Sequence, residues 1–190
     1  MAHLAGYAAG IMRILLPFAL ILSANSAPSM TSLAGMPLGT ATPGESAYTA
    51  AAARTVKAII DYTRWPQRHD PLVLCVAGPA LHAAQLGTIR LADGRRVERR
   101  NVAGNAAAVA PCQVLYLGQL PIGQQRQLTA AVRGKGVLTI AEADPGNTSE
   151  SIVALTYQPS ALSFRLNIDA ISRSGLKIDP RVLRISQGGT

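Results

Sequence analysis

The sequence is poor in the side chains from which catalytic and cofactor sites are built. Of its 190 residues, 3 are histidine, 2 are cysteine and 10 are Asp or Glu, and aromatic residues make up only 4%. There is no G-x-S-x-G nucleophile elbow, which removes the α/β-hydrolase arrangement. There is no H-E-x-x-H and no carboxylate cluster, so metal-assisted hydrolysis lacks its ligands. His69 lies in a polar stretch beside Asp70, and His82 lies in a segment read as helical. Neither has a partner at a spacing that suggests general-base work. Arg133-Gly134-Lys135-Gly136 has the composition of a phosphate loop, but an apolar strand pattern follows it where a helix is required. Gly78-Pro79 sits where a doubly wound fold would hold a cofactor phosphate, yet proline removes the N–H that phosphate needs. These absences argue against an enzyme, and no cofactor or metal is expected.

Long apolar runs are also missing. The longest near the start, Ile14 to Leu22, is too short to span the ~30 Å hydrocarbon layer of a bilayer. It follows Arg13 and precedes the small residues Ser23, Ala24, Asn25, Ser26 and Ala27. A positive residue, a short apolar stretch and small residues at −3 and −1 spell a secretory signal over residues 1–26, with Ala24 at −3. The chain is therefore expected to be exported to the periplasm. Acid is scarce too: the net charge is +8, and Arg95, Arg96, Arg99 and Arg100 crowd together. In an exported protein that cluster reads as a solvated strand face, with attraction to anionic lipid or an acidic partner as the sharper reading and no nucleic acid expected.

Hydrophobic residues make up 48% of the chain, so an aliphatic core is available, and the length suits one domain. Residues 27–45 are rich in Ser, Ala, Gly, Pro and Thr without periodicity and read as a flexible leader. Ser46 is a plausible N-cap for a helix carrying Ala52, Val56, Ile59, Ile60 and Thr63 at helical spacing, ending before Pro66. Leu72 to Gly78, Gln113 to Leu117 and Val137 to Ala141 are short apolar runs, as expected of buried strands. Val97 to Val102 alternates with basic residues outward. Helices are expected from Pro79 to about Leu86 and from Ile122 to Val132. Ile152 to Tyr157 and Ser163 to Asn167 read as a hairpin around Pro159-Ser160. Asp169 is placed as the cap of a short helix stopping at Gly175, Leu176 to Ile178 as extended, and Asp179-Pro180 as the start of a last helix. Residues 188–190 read as a frayed tail. The fold class is α/β: a single domain over residues 46–187, with a mixed sheet, parallel strands first, an antiparallel C-terminal hairpin and helices on both faces.

Two cysteines in an exported chain usually pair. Cys75 lies in one apolar run and Cys112 just precedes another, so a bridge is expected if those strands are neighbours; two buried free thiols are the alternative. The only tryptophan, Trp65, stands between the first helix and the first buried strand and is expected to plug the end of the core.

Particular stretches are similar to a known family. Val56 to Pro66, with its Tyr62-Thr63-Arg64-Trp65-Pro66 run, resembles the entry motif of the YfiR family of periplasmic proteins. Leu74-Cys75-Val76, Cys112 to Tyr116, Gly136 to Ile140 and the segment Phe164 to Ile178 match in the same order. The resemblance spans about Val56 to Ile185. It implies a regulator and not an enzyme: a repressor of a membrane-bound diguanylate cyclase of the YfiN type, bound at the cyclase's periplasmic sensor domain, lowering cyclic di-GMP and biofilm formation. It implies sequestration by an outer-membrane lipoprotein of the YfiB type, a homodimer, and a disulfide matching Cys75 and Cys112. Some members carry a second cysteine pair in the segment matching Ala143 to Ile152; here there is none. Tyr62, Arg64, Trp65 and Pro66 are expected to be structural. The charged terminal edge bearing Arg165, Asn167, Asp169, Arg173 and Lys177 is the candidate partner surface. The other reading is a periplasmic small-molecule-binding protein with a pocket at the carboxyl ends of the strands.

Overall fold

The computed structural model describes residues 30–32, 36–37, 46–159 and 161–187. The expected signal segment and the tail at 188–190 lie outside these residues. In chain order the elements are strands β1 (Met30–Ser32) and β2 (Met36–Pro37), helix α1 (Ala47–Asp61), strands β3 (Thr63–Arg64) and β4 (Leu72–Ala77), a 3-10 turn (Ala84–Thr88), strand β5 (Val97–Val102) and helix α2 (Ala106–Val109). Strand β6 (Val114–Leu117), helix α3 (Ile122–Val132), strands β7 (Leu138–Ala141), β8 (Val153–Gln158) and β9 (Ala161–Asn167), helix α4 (Ile168–Ser174), strand β10 (Lys177–Ile178) and a final 3-10 helix (Pro180–Gln187) follow.

The main sheet runs β1-β9-β8-β7-β6-β4-β5, with β2 also on β9. Strands β5, β4, β6, β7 and β8 are parallel, and β9 returns antiparallel to β8. The first parallel strand is thus flanked by the second and third, the order of a doubly wound sheet with its switch point between β4 and β6. This is the expected mixed sheet. Leu72, Leu74, Val76, Tyr116, Ile140 and Phe164 face α1, the 3-10 turn and the final helix in one core. Cys75, Ala77, Leu115, Leu117 and Ala141 face α2 and α3 in a second. Both faces of the central strands are covered, which is why they read as continuous apolar runs and not as alternating ones.

Helix α1 begins as the sequence suggests: Ser46 is extended and its side chain accepts from Tyr48 N at 3.3 Å. Ala52, Val56, Ile59 and Ile60 are fully buried; each large aliphatic among them contributes about 1.5–3 kcal/mol. Cys75 and Cys112 form a disulfide with Cα atoms 5.8 Å apart. It ties the middle of β4 to the entry of β6, inside the second core.

Four expectations are corrected. Part of the segment read as a flexible leader is paired: β1 lies antiparallel on Arg165 to Asn167, and β2 on Ala161 and Leu162. These strands are too short to show an alternation. The stretch from Pro79 is not an α-helix; it bends and then makes the 3-10 turn, because the N–H groups of Leu81 and His82 are held by the distant Glu142 carboxylate. The cap of α4 is Asn167, whose Oδ1 accepts from Ala170 N at 3.0 Å, with Asp169 inside the first turn. The last helix is 3-10 in character. One short helix, α2, was not foreseen; Asn105 caps it, accepting from Ala108 N at 3.0 Å.

Candidate partner-binding surface

The two most specific stretches of the sequence meet in space. β3 carries Thr63 and Arg64, β10 carries Lys177 and Ile178, and the two pair antiparallel with Thr63 opposite Ile178 and Arg64 opposite Lys177. Thr63 is buried and its hydroxyl donates to Ile59 O at 2.7 Å, anchoring the pair to the end of α1. Gly136 N donates to Ser174 O at 2.9 Å, and Asp179 N to Tyr62 O at 2.9 Å. The helix-to-strand turn at Gly134 to Gly136 and the end of α4 therefore close around the same junction. Gly134, Gly136 and Gly175 all have positive φ, a conformation that side chains resist.

Within the junction the family-motif residues divide. Tyr62 caps α1 and is half-buried, with the Arg181 guanidinium 5.8 Å from its ring centroid. Arg181 also forks Asp179, and those hydrogen bonds hold the Asp179 carboxyl down to about 2. Arg64 is exposed and donates to Asp61 O at 2.8 Å. Trp65 packs against the first core but is only half-buried, so it closes the end of the core without being enclosed by it. Its indole N–H is buried and has no hydrogen-bond partner among the described residues. Pro66 is exposed. Beside it lies a groove of about 310 Å³ whose wall includes Trp65, Pro66, Cys112, Lys135 and Gly175.

The terminal segment divides too. Arg165 is half-buried and donates to Pro145 O at 2.8 Å. Asn167 is 6% exposed and committed to the cap, so it leaves the candidate surface. Asp169 and Arg173 are exposed and form an i,i+4 ion pair on α4. Lys177 is exposed. Arg64, Asp169, Arg173 and Lys177, with the exposed Ile168 at 49%, remain available to a partner.

The carboxyl ends of the parallel strands look different. Gly118 N donates to Ala77 O at 3.0 Å and Gln119 N to Pro79 O at 2.6 Å, so the loops after β4 and β6 are in backbone contact. The Leu120 side chain lies on Gly78, and a Cβ on Gly118 would strike the Pro79 carbonyl. The switch point, where doubly wound folds place ligands, is filled by the chain itself. Next to it Glu142 is 2% exposed and accepts from Leu81 N at 2.9 Å, His82 N at 2.7 Å and Tyr116 Oη at 3.0 Å. Burial pushes the Tyr116 and Tyr157 phenols well above their ordinary range. Burial also lowers the His82 imidazole, with Glu142 opposing. This cluster ties the loops after β4 and β7 to strands β6 and β8. Sequence reading passed over it, although an acid directly following the apolar strand Leu138–Ala141 is an available signal. Among the described residues no group of His, Cys, Asp or Glu could hold a metal ion, and no helix is long and apolar enough to cross a membrane.

Three solved structures show a slight likeness to the chain. They are an O-acetylhomoserine sulfhydrylase of Wolinella succinogenes (14% identity, 72% of this chain and 47% of that one, TM-score 0.43), an alanine–glyoxylate aminotransferase of Nostoc (13%, 83% and 46%, 0.43) and a ureidoglycine–glyoxylate aminotransferase of Bacillus subtilis (11%, 85% and 46%, 0.44). The chain spans about half the length of each, and likenesses this slight say nothing of activity. The YfiR/HmsC-like family model, in contrast, matches residues 49–187, from the first turn of α1 through the final 3-10 helix and so across both halves of the β3–β10 junction. The chain belongs to the YfiR/HmsC-like family.

Proposed function

We propose that this protein is a periplasmic repressor that binds the sensor domain of a YfiN-type membrane diguanylate cyclase, lowers cyclic di-GMP and restrains biofilm formation. At the level of the family it is a periplasmic regulator in cyclic di-GMP signalling, and the match over residues 49–187 is the observation that carries the reading. The physical logic is a population shift. A repressor that binds only the inactive state of the sensor biases the cyclase toward that state by its differential affinity. A YfiB-type outer-membrane lipoprotein that binds the same repressor removes the bias. A homodimer belongs to the same reading. The fold supports a binding role: its most specific sequence is spent on a rigid junction that leaves Arg64, Arg173 and Lys177 exposed.

Deletion of the gene tests this. Cellular cyclic di-GMP and surface attachment should rise and swimming should fall. Restoring the full chain should reverse the change, and a version lacking residues 1–26 should not, because it never reaches the periplasm. Unchanged cyclic di-GMP in a strain that carries the cognate cyclase would sink the repressor reading.

A further inference from the structure

We propose that the free edge of β5 is a docking site for an extended acidic segment of a partner protein, which adds to the sheet as one more strand. β5 is the last strand of the sheet and pairs with β4 alone along its length. Its outer side is covered only at the start, where Leu91 N donates to Arg95 O at 3.0 Å and Val97 N to Ile89 O at 3.3 Å. The alternation of a parallel ladder turns the N–H groups of Arg99 and Asn101 the same way as that of Val97, outward. Beyond Val97 no strand among the described residues takes them up. An unpaired edge of this kind is a template for strand addition.

The side chains give the edge its sign. Arg95 is paired with Asp93 and Arg100 with Glu98. Arg90, Arg96 and Arg99 have no ion-pair partner among the described residues, and all three flank the outer side of β5. A groove of about 430 Å³ runs beside it, lined by Pro71, Gly87, Arg96, Val97, Glu98 and Arg99. The Arg99 stem lies over Gly87, and Nη2 donates to Asn101 Oδ1 at 3.0 Å. Its Nε is buried and has no acceptor among the described residues. A carboxylate entering the groove meets the Arg96 and Arg99 charges together. A second copy of this chain is a poor occupant, since β5 against β5 would set arginine opposite arginine. Main-chain pairing supplies the fit and the acidic side chains supply the selectivity. The inference rests on the edge and not on the repressor reading, and β5 lies at the opposite side of the sheet from β9 and the terminal segment.

The test uses the full chain and a short fluorescein-labelled peptide of alternating Glu and Val. Controls are the same peptide N-methylated at alternate amides and phosphatidylglycerol vesicles. Fluorescence anisotropy should show binding that weakens with salt, and the Arg99 and Asn101 amides should gain protection from hydrogen exchange. The double variant Arg96→Glu, Arg99→Glu should lose about tenfold or more in affinity with its melting temperature kept; should it fail to fold, Arg96→Gln, Arg99→Gln carries the same comparison. No binding, equal binding of the N-methylated peptide, or protection elsewhere overturns the proposal. Binding to vesicles but not to the peptide overturns it in favour of a lipid surface.

Discussion

Arg64 on β3 stands directly opposite Lys177 on β10, two exposed cations in register across a pair of two-residue strands. Like charges so placed work against the pairing, and an opposite-charge pair contributes about 0.2–1 kcal/mol. Lys177→Glu should therefore raise the denaturation midpoint slightly. If the junction is the contact with the cyclase, the same change should raise cyclic di-GMP in a complemented deletion strain. A variant that is more stable and represses fully would remove Lys177 from the partner surface.

Arg173 makes a companion test. Its guanidinium pairs with Asp169 at an exposed i,i+4 spacing, worth about 0.3–0.5 kcal/mol. Arg173→Glu should cost little stability, read by thermal melting, so any loss of repression reports on contact and not on folding. Full repression by the variant would place the contact elsewhere.

The disulfide closes a sequence separation of 37 residues. In the chain-entropy account, whose mechanism is disputed, such a loop restricts the unfolded state by about 4 kcal/mol. Cys75→Ala should lower stability by roughly that amount in urea titrations. The mass of the protein taken from the periplasm should be two hydrogen atoms below that of the dithiol. Two thiols that alkylate before reduction would rule the bridge out.

Trp65 separates what burial contributes from what the N–H costs. It is half-buried, so Trp65→Ala should destabilise by about 2 kcal/mol, below the 3–5 of a fully enclosed aromatic. Trp65→Phe keeps most of the contact and removes a buried donor that has no acceptor, so it should cost less than about 1 kcal/mol. Circular dichroism in urea reads both, since each variant loses the only tryptophan. Equal losses for the two would mean that the indole N–H is satisfied in solution.

Much of the fold was legible because local signals agreed with burial. α3 runs over Ile122–Val132 as expected, framed by Pro121 and Gly134. The apolar runs became β4, β6 and β7 because both of their faces are covered. What failed was set at a distance. Leu81 and His82 sit in a stretch with helical spacing, but their N–H groups go to a carboxylate 61 and 60 residues away, which no local window contains. For α4 the sequence points to Asp169 as the cap, but the cap falls on Asn167 because β9 stops there. In the candidate surface, sequence order identified both motifs but could not show that β3 and β10 pair. Nor could it show that Asn167 is buried while Arg64 is not.

Glu142 and His82 yield the last expectation, a dependence on pH. The His82 ring stands with its centroid 4.5 Å from that of Tyr157 and 5.4 Å from that of Tyr48, and its Nδ1 is buried without a partner among the described residues. Burial lowers its pKa below the ordinary 6.5, against the pull of Glu142. The unfolded chain therefore takes up this proton at a higher pH than the folded one. Stability from the neutral ring is fully present above 6.5 and is lost as pH falls through the folded value. Between about pH 7.5 and about pH 5, the melting temperature of the native protein should drop further than that of His82→Gln, which has nothing to protonate there. Glu142→Gln gives the complementary result. Its NH₂ group would face donors from Leu81, His82 and Tyr116, so it should lose about 1–3 kcal/mol at neutral pH. Parallel pH profiles for native protein and His82→Gln would show that the ring takes up its proton without cost to the fold.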